Sequence, residues 1–201
     1  MEFKKSVLPE IILAITGVFI AVLSVVLIEV AAKINGIYSG TPVSLAIIEL
    51  VLFILLLSAL STKKPVFTKV MCFISLGSLV LASFVLAVAC STYFESMELS
   101  FDTIGYLALS LLLLVAMILF LIYYIAGKKE SMAKLSRITN IISMVFFGLI
   151  AILLVVSSFV GIFRYRPVYG LELAVLTLNC VLMLGLILSL QNNLVYKVEE
   201  K

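Results

Sequence analysis

Polar positions in this chain fall in clusters, and between the clusters lie six long apolar runs: residues 11–32, 43–60, 66–89, 104–125, 141–163 and 168–190. A helix needs ~20 apolar residues to cross the ~30 Å hydrocarbon layer of a bilayer, and each run comes close to or exceeds that length. Strands of a membrane barrel would show short alternating segments instead, so the runs predict helices. The expected fold class is all-α: a polytopic integral membrane bundle of six transmembrane helices forming a single transmembrane domain over residues 1–201. The first run follows Lys4 and Lys5 and ends in Val30, Ala31 and Ala32, as a secretory leader would. Its apolar stretch exceeds the ~7–15 residues of a leader, so it is read as an uncleaved first span.

The positive residues sort by side. Lys4 and Lys5 precede the first run, and Lys63, Lys64 and Lys69 flank the turn between the second and third. Lys128, Lys129, Lys134 and Arg137 lie between the fourth and fifth, and Lys197 and Lys201 follow the sixth. Only Lys33, Arg164 and Arg166 fall at the opposite ends, whereas the acidic segment with Glu95, Glu98 and Asp102 lies wholly there. Cytoplasmic loops carry the excess of Lys and Arg, so both termini are expected in the cytoplasm (N-in/C-in), in a cell (plasma) membrane. Tyr38, Tyr93, Phe94, Phe101, Tyr106, Phe163, Tyr165 and Tyr169 fit an outer aromatic belt. Phe67, Tyr123, Tyr124 and Tyr196 fit an inner one.

Composition agrees with lipid as the solvent. The chain is 64% hydrophobic and 12% charged, with mean hydropathy +1.33, whereas a soluble domain is about half apolar and a quarter charged. The net charge of +3 forms no basic stripe with interleaved aromatics, so no nucleic-acid partner is expected. Cys72, Cys90 and Cys180 have neither metal-ligand nor redox spacing and are read as small packing residues. There is no histidine, which removes the commonest general base and most zinc and haem sites. No enzyme activity, metal or cofactor is expected.

Polar residues inside the runs are the candidate chemistry, because a charge there costs several kcal/mol unless paired or hydrated. Glu49 lies six residues inside the second run, roughly 9 Å deep at 1.5 Å per residue. Glu172 and Glu29 lie closer to the outer ends of their runs. Asn179 is seven positions after Glu172 and shares its helix face. With Arg164 and Arg166 just outside, these residues outline a polar site in the outer half of the bundle, suited to a small polar or zwitterionic solute. The competing reading is polar glue: Glu49 paired with Arg164 or Arg166, and Asn179 hydrogen-bonded across helices.

Small residues carry a second signal. Ala14, Gly17, Ala21 and Ser24 recur at three- and four-residue spacing on the first span, a stripe against which another helix can approach closely. Gly148, Ala151 and Ser158 form a shorter stripe on the fifth. Most such stripes pack within their own bundle, but the first is the candidate for docking a partner subunit. The size, the six-span layout and this stripe resemble the substrate-binding subunits of energy-coupling-factor vitamin transporters. The resemblance is one of layout: no motif is shared and no residue is carried across. The doublets Lys4-Lys5, Lys63-Lys64 and Lys128-Lys129 each open a hairpin, a pattern compatible with a threefold repeat.

The functional expectation is a non-catalytic subunit or accessory protein of a membrane complex, acting by helix packing against a membrane-protein partner or a second copy of itself. The alternative is a small-solute or ion transporter, or its binding subunit, built on Glu49, Glu172 and Asn179.

Overall fold

In a computed structural model of the chain, every apolar run is a helix: α1 Leu8–Asn35, α2 Gly40–Ser61, α3 Pro65–Tyr93, α4 Phe101–Ala126, α5 Ala133–Arg164 and α6 Pro167–Asn193. The structure describes the backbone of residues 2–35, 40–93, 101–128, 130–164 and 167–195, and the side chains of 2–30, 33, 43–84, 107–128, 131–156 and 174–194. All six helices are long and apolar enough to cross a membrane. A 3-10 turn, Glu130–Met132, leads into α5. Two short strands, β1 (Glu2–Phe3) and β2 (Leu194–Val195), pair antiparallel, with Glu2 opposite Val195 and Phe3 opposite Leu194.

The helices run past the ends of the apolar runs, most of all at α5, which begins at Ala133 rather than at 141. Hydropathy marks the depth that meets hydrocarbon, whereas backbone hydrogen bonding continues through the polar flank. Within that flank the Thr139 hydroxyl also bonds the Leu135 carbonyl one turn back.

Local chemistry sets the ends. The Ser6 hydroxyl accepts from the Leu8 amide at 3.3 Å, Pro9 occupies a first-turn position where no N–H is needed, and Glu10 lies in the positive first turn. Between α2 and α3, Lys63 adopts φ 50°, the left-handed conformation that commonly terminates helices. Its amide donates to the Leu60 carbonyl at 3.0 Å. Pro65 then opens α3, and the Thr68 hydroxyl reaches back across the turn to the Ala59 carbonyl at 3.4 Å.

The chain forms two compact units. The first comprises Met1–Met71 and Ala151–Lys197, the second is built on Cys72–Ile150. Because α6 groups with α1 and α2, this division does not follow the three lysine-opened hairpins.

In the first unit α1 packs against both α2 and α6, and α2 also meets α6. The buried positions of α1 are Glu10, Ala14, Gly17, Ala21, Ser24 and Ile28. That alternation of three and four is the 3.5-residue repeat of knobs-into-holes packing. The same spacing buries Ala46, Glu49, Phe53, Leu56 and Leu60 on α2. Gly17 is the closest approach: a Cβ there would overlap the fully buried Phe53 ring. The other side of α1 exposes Ile12, Ile15, Phe19, Val22 and Val26, an apolar surface too continuous for water and suited to lipid.

The second unit is held by edge-to-face aromatics, with ring centroids 4.8 Å apart for Phe73–Phe120 and 4.7 Å for Phe120–Tyr124. The Ser110 hydroxyl ties α4 to the Val80 carbonyl of α3 at 3.3 Å. Ser136 ties the start of α5 to the Tyr123 carbonyl at 3.3 Å.

Gly17→Ala therefore overpacks the α1–α2 contact and is expected to cost about 1–3 kcal/mol. Trimming the opposing ring in the double variant Gly17→Ala/Phe53→Leu should recover most of that loss. Thermal unfolding in detergent measures both, and an unaltered midpoint for Gly17→Ala would contradict this packing.

Candidate functional site

The α1–α2–α6 seam is apolar in its middle and polar at two levels. At the first level, Ser24 of α1, Glu49 of α2, and Asn179 and Cys180 of α6 converge. Ser24, Glu49 and Asn179 are buried, with exposures of 0, 6 and 0%. The Ser24 hydroxyl donates to the Ile20 carbonyl at 2.7 Å, so its oxygen is free to accept, and Asn179 Nδ2 donates to it at 2.8 Å. The Cys180 thiol donates to Glu49 Oε1 at 3.1 Å. The Asn179 amide also faces the Glu49 carboxyl as a donor, and Glu49 Oε2 and Asn179 Oδ1 are each buried without a hydrogen-bond partner.

At the second level, Glu10 of α1 is buried (4% exposed) against the last turns of α6. Its Oε1 accepts from Ser189 Oγ at 2.7 Å and from Asn193 Nδ2 at 3.3 Å, and its Oε2 is buried without a partner. Asn193 also holds the chain preceding α1. Its Oδ1 accepts from the Lys5 amide at 2.7 Å, and its backbone carbonyl accepts from the Lys4 amide at 2.8 Å. Together with the β1–β2 ladder, these bonds strap residues 2–5 across the end of α6.

The two levels share one antiparallel register. Glu10, Gly17 and Ser24 recur every seven residues on α1, and Asn179, Leu186 and Asn193 do so on α6. Fourteen residues at 1.5 Å each separate the levels by about 21 Å. The seam between them is lined by Ala14, Gly17, Ala21, Phe53, Met183 and Leu186, all buried. Among the described residues no lysine or arginine side chain bonds either carboxyl. An ionised carboxylate so placed costs several kcal/mol, which a proton or a bound cation would offset.

The sequence-derived candidates thus divide. Glu49 and Asn179 do come together, on neighbouring helices. Glu29 is half-buried on α1, five residues beyond Ser24 and so about 140° around the helix from it. The side chains of Glu172, Arg164 and Arg166 lie outside the described residues. The stripe Ala14, Gly17, Ala21 and Ser24 is buried within the chain, Gly17 against Phe53 and Ser24 against Asn179, so it presents no open face for a second protein. Among the described residues no group of three or more His, Cys, Asp or Glu comes together.

Four contributors are not marked as polar partners by the sequence: Ser24 enters only as a small residue of the α1 stripe, Cys180 only as packing, and Glu10 and Asn193 lie just outside the apolar runs. A signal was present in the seven-residue spacing that links Glu10 to Ser24 and Asn179 to Asn193, but it gains meaning only once α1 and α6 are known to be neighbours.

Removing the strap's anchor tests the second level. Asn193→Ala should cost about 1–3 kcal/mol and speed amide exchange at Lys5, with exchange in the middle of α1 unchanged. Native-state hydrogen exchange read by mass spectrometry reports this, and unaltered exchange at Lys5 would show that Asn193 does not hold the strap.

Compared with known proteins, the chain matches no family model, no curated protein and no solved structure, so its function is argued from its own residues.

Proposed function

We propose that this chain is a non-catalytic six-span protein of the plasma membrane, with both termini cytoplasmic, that carries a small solute or ion through a polar site in the α1–α2–α6 seam. Six helices of spanning length support membrane insertion. The β1–β2 ladder supports both termini lying on one side, since it joins the chain before α1 to the chain after α6. The lysines at that end support its being the cytoplasmic side.

The observation that carries the transport reading is Glu49: buried, bonded to one thiol, faced by the Asn179 amide, and without a hydrogen-bond partner on Oε2. Polar glue normally satisfies its own hydrogen bonds, because an orphaned buried acceptor costs about 1–3 kcal/mol. Such groups are tolerated where a site must accept something further.

Proteoliposomes of phosphatidylethanolamine and phosphatidylglycerol with an entrapped pH dye test this under imposed proton, sodium and potassium gradients. The wild-type protein is expected to dissipate one of these gradients, and Glu49→Gln to slow it at least tenfold. Gradient loss that is equal in both proteins, with a lower unfolding midpoint for Glu49→Gln, would reduce Glu49 to structural glue.

An accessory role has a different supporting observation. On α5, Gly148 is exposed with nothing within 4 Å of its Cβ position, and Val145, Leu149 and Ile152 around it are exposed. This open notch is where a partner helix or a second copy would seat. Native mass spectrometry of the wild type and Gly148→Leu tests it: a partner lost in the variant supports docking, and a monomer in both rejects it.

A further inference from the structure

We infer that residues 2–5 act as a latch: they swing away from Asn193 about Ser6, and their release opens the inner end of the α1–α6 seam to water at Glu10. This names the inner gate of the transport reading and rests on that reading only for what then passes.

Asn193 is the catch. It is buried, and the two polar atoms of its amide serve different elements. Oδ1 accepts from the Lys5 amide at 2.7 Å, and Nδ2 donates to Glu10 Oε1 at 3.3 Å. Its backbone carbonyl takes the Lys4 amide at 2.8 Å. One residue of α6 therefore joins the strap to the buried carboxyl. The rest of the hold is a ladder of two residue pairs, too short to be stable by itself. Leu194, in that ladder, is fully buried, so the closed strap is seated on the end of α6.

The strap can leave while α1 stays helical and packed. The start of α1 is capped by the Ser6 hydroxyl, which accepts from the Leu8 amide, and Pro9 needs no N–H there. The grip of α1 on α2 lies farther along, where Gly17 admits the Phe53 ring. The side chains of Glu2, Lys4 and Lys5 are exposed already, and Phe3 is half-buried, so lifting the strap uncovers little apolar surface. The Lys4 and Lys5 amides exchange Asn193 for water, a nearly even replacement. Glu10 is where release is favourable. In the closed state its Oε2 is buried without a hydrogen-bond partner. Water entering the opened seam satisfies that oxygen and offsets the bonds given up. Segments held by few apolar contacts and by bonds that water can replace are those that open locally.

The test locks the latch in the full-length protein in lipid nanodiscs. Glu2 faces Val195 in the ladder, and facing residues of an antiparallel pair have Cα atoms about 4.5–5.5 Å apart, within disulfide reach. The double variant Glu2→Cys/Val195→Cys therefore closes the strap on oxidation. Ser189, which donates to Glu10 Oε1, is replaced in the same background by Ser189→Cys, and a charged maleimide with peptide mapping at position 189 reads water access at that level. Labelling is expected to slow roughly tenfold or more on oxidation, to recover on reduction, and to speed by a similar factor in unlocked protein carrying Asn193→Ala. A disulfide that does not form, or labelling indifferent to the lock, overturns the latch. If Asn193→Ala does not fold, the lock still decides, because it leaves Asn193 in place. In proteoliposomes, with Ser189 intact, the lock should stop whatever gradient the wild type dissipates, and a reductant should restore it. Undiminished flux through the locked protein overturns the gate. No flux in either protein, with labelling still controlled by the lock, removes the transport reading and leaves the latch standing.

Discussion

The close approach of α1 to its neighbours is the constraint on which the rest of the first unit depends. In lipid the hydrophobic effect does not drive helices together, so they associate through tight packing and the hydrogen bonds that packing allows. Gly17 supplies the approach by leaving room for the Phe53 ring, and Ala14 and Ala21 extend it above and below. With bulkier residues on this stripe, Ser24 would not lie 2.8 Å from Asn179, nor Glu10 within bonding distance of Ser189 and Asn193. The small residues and the buried polar ones are thus one device, the former setting the distance at which the latter meet.

That device explains why two carboxyls are found on one helix seam. Each sits at a level where a heptad position that would otherwise carry a small or aliphatic residue is polar on both facing helices. Between them about 21 Å of apolar packing excludes water. Glu10 accepts two hydrogen bonds on one oxygen, next to the strap of residues 2–5, whereas Glu49 accepts from the Cys180 thiol and is faced by the Asn179 amide. The difference lies in what they join: Glu10 ties the chain ends together through Asn193, and Glu49 links α2 to α6.

The second unit relies on a different principle. Its contacts include aromatic edges and isolated hydroxyl-to-carbonyl bonds, on helices whose exposed faces are largely apolar. The hydroxyls of Ser110 and Ser136 bond backbone carbonyls of neighbouring helices, so they contribute cohesion without introducing a buried charge. Of the α5 stripe only Gly148 falls there, and it remains open.

Six helices, their order and their approximate extents were legible in the sequence, because the requirement to satisfy every backbone group in hydrocarbon leaves an apolar run of ~20 residues little choice but a helix. So was the singularity of Glu49, since depth alone makes a carboxylate costly. The small stripe on α1 was legible as a close-packing face, but not which helix it meets. Neighbourhood in a bundle is not written in any one helix, and hydropathy is nearly blind to rotation when all sides of a helix are apolar. Only the tertiary structure could pair α1 with α6, and only that pairing turned Ser24, Cys180, Glu10 and Asn193 from background residues into the hydrogen-bonding partners of the seam.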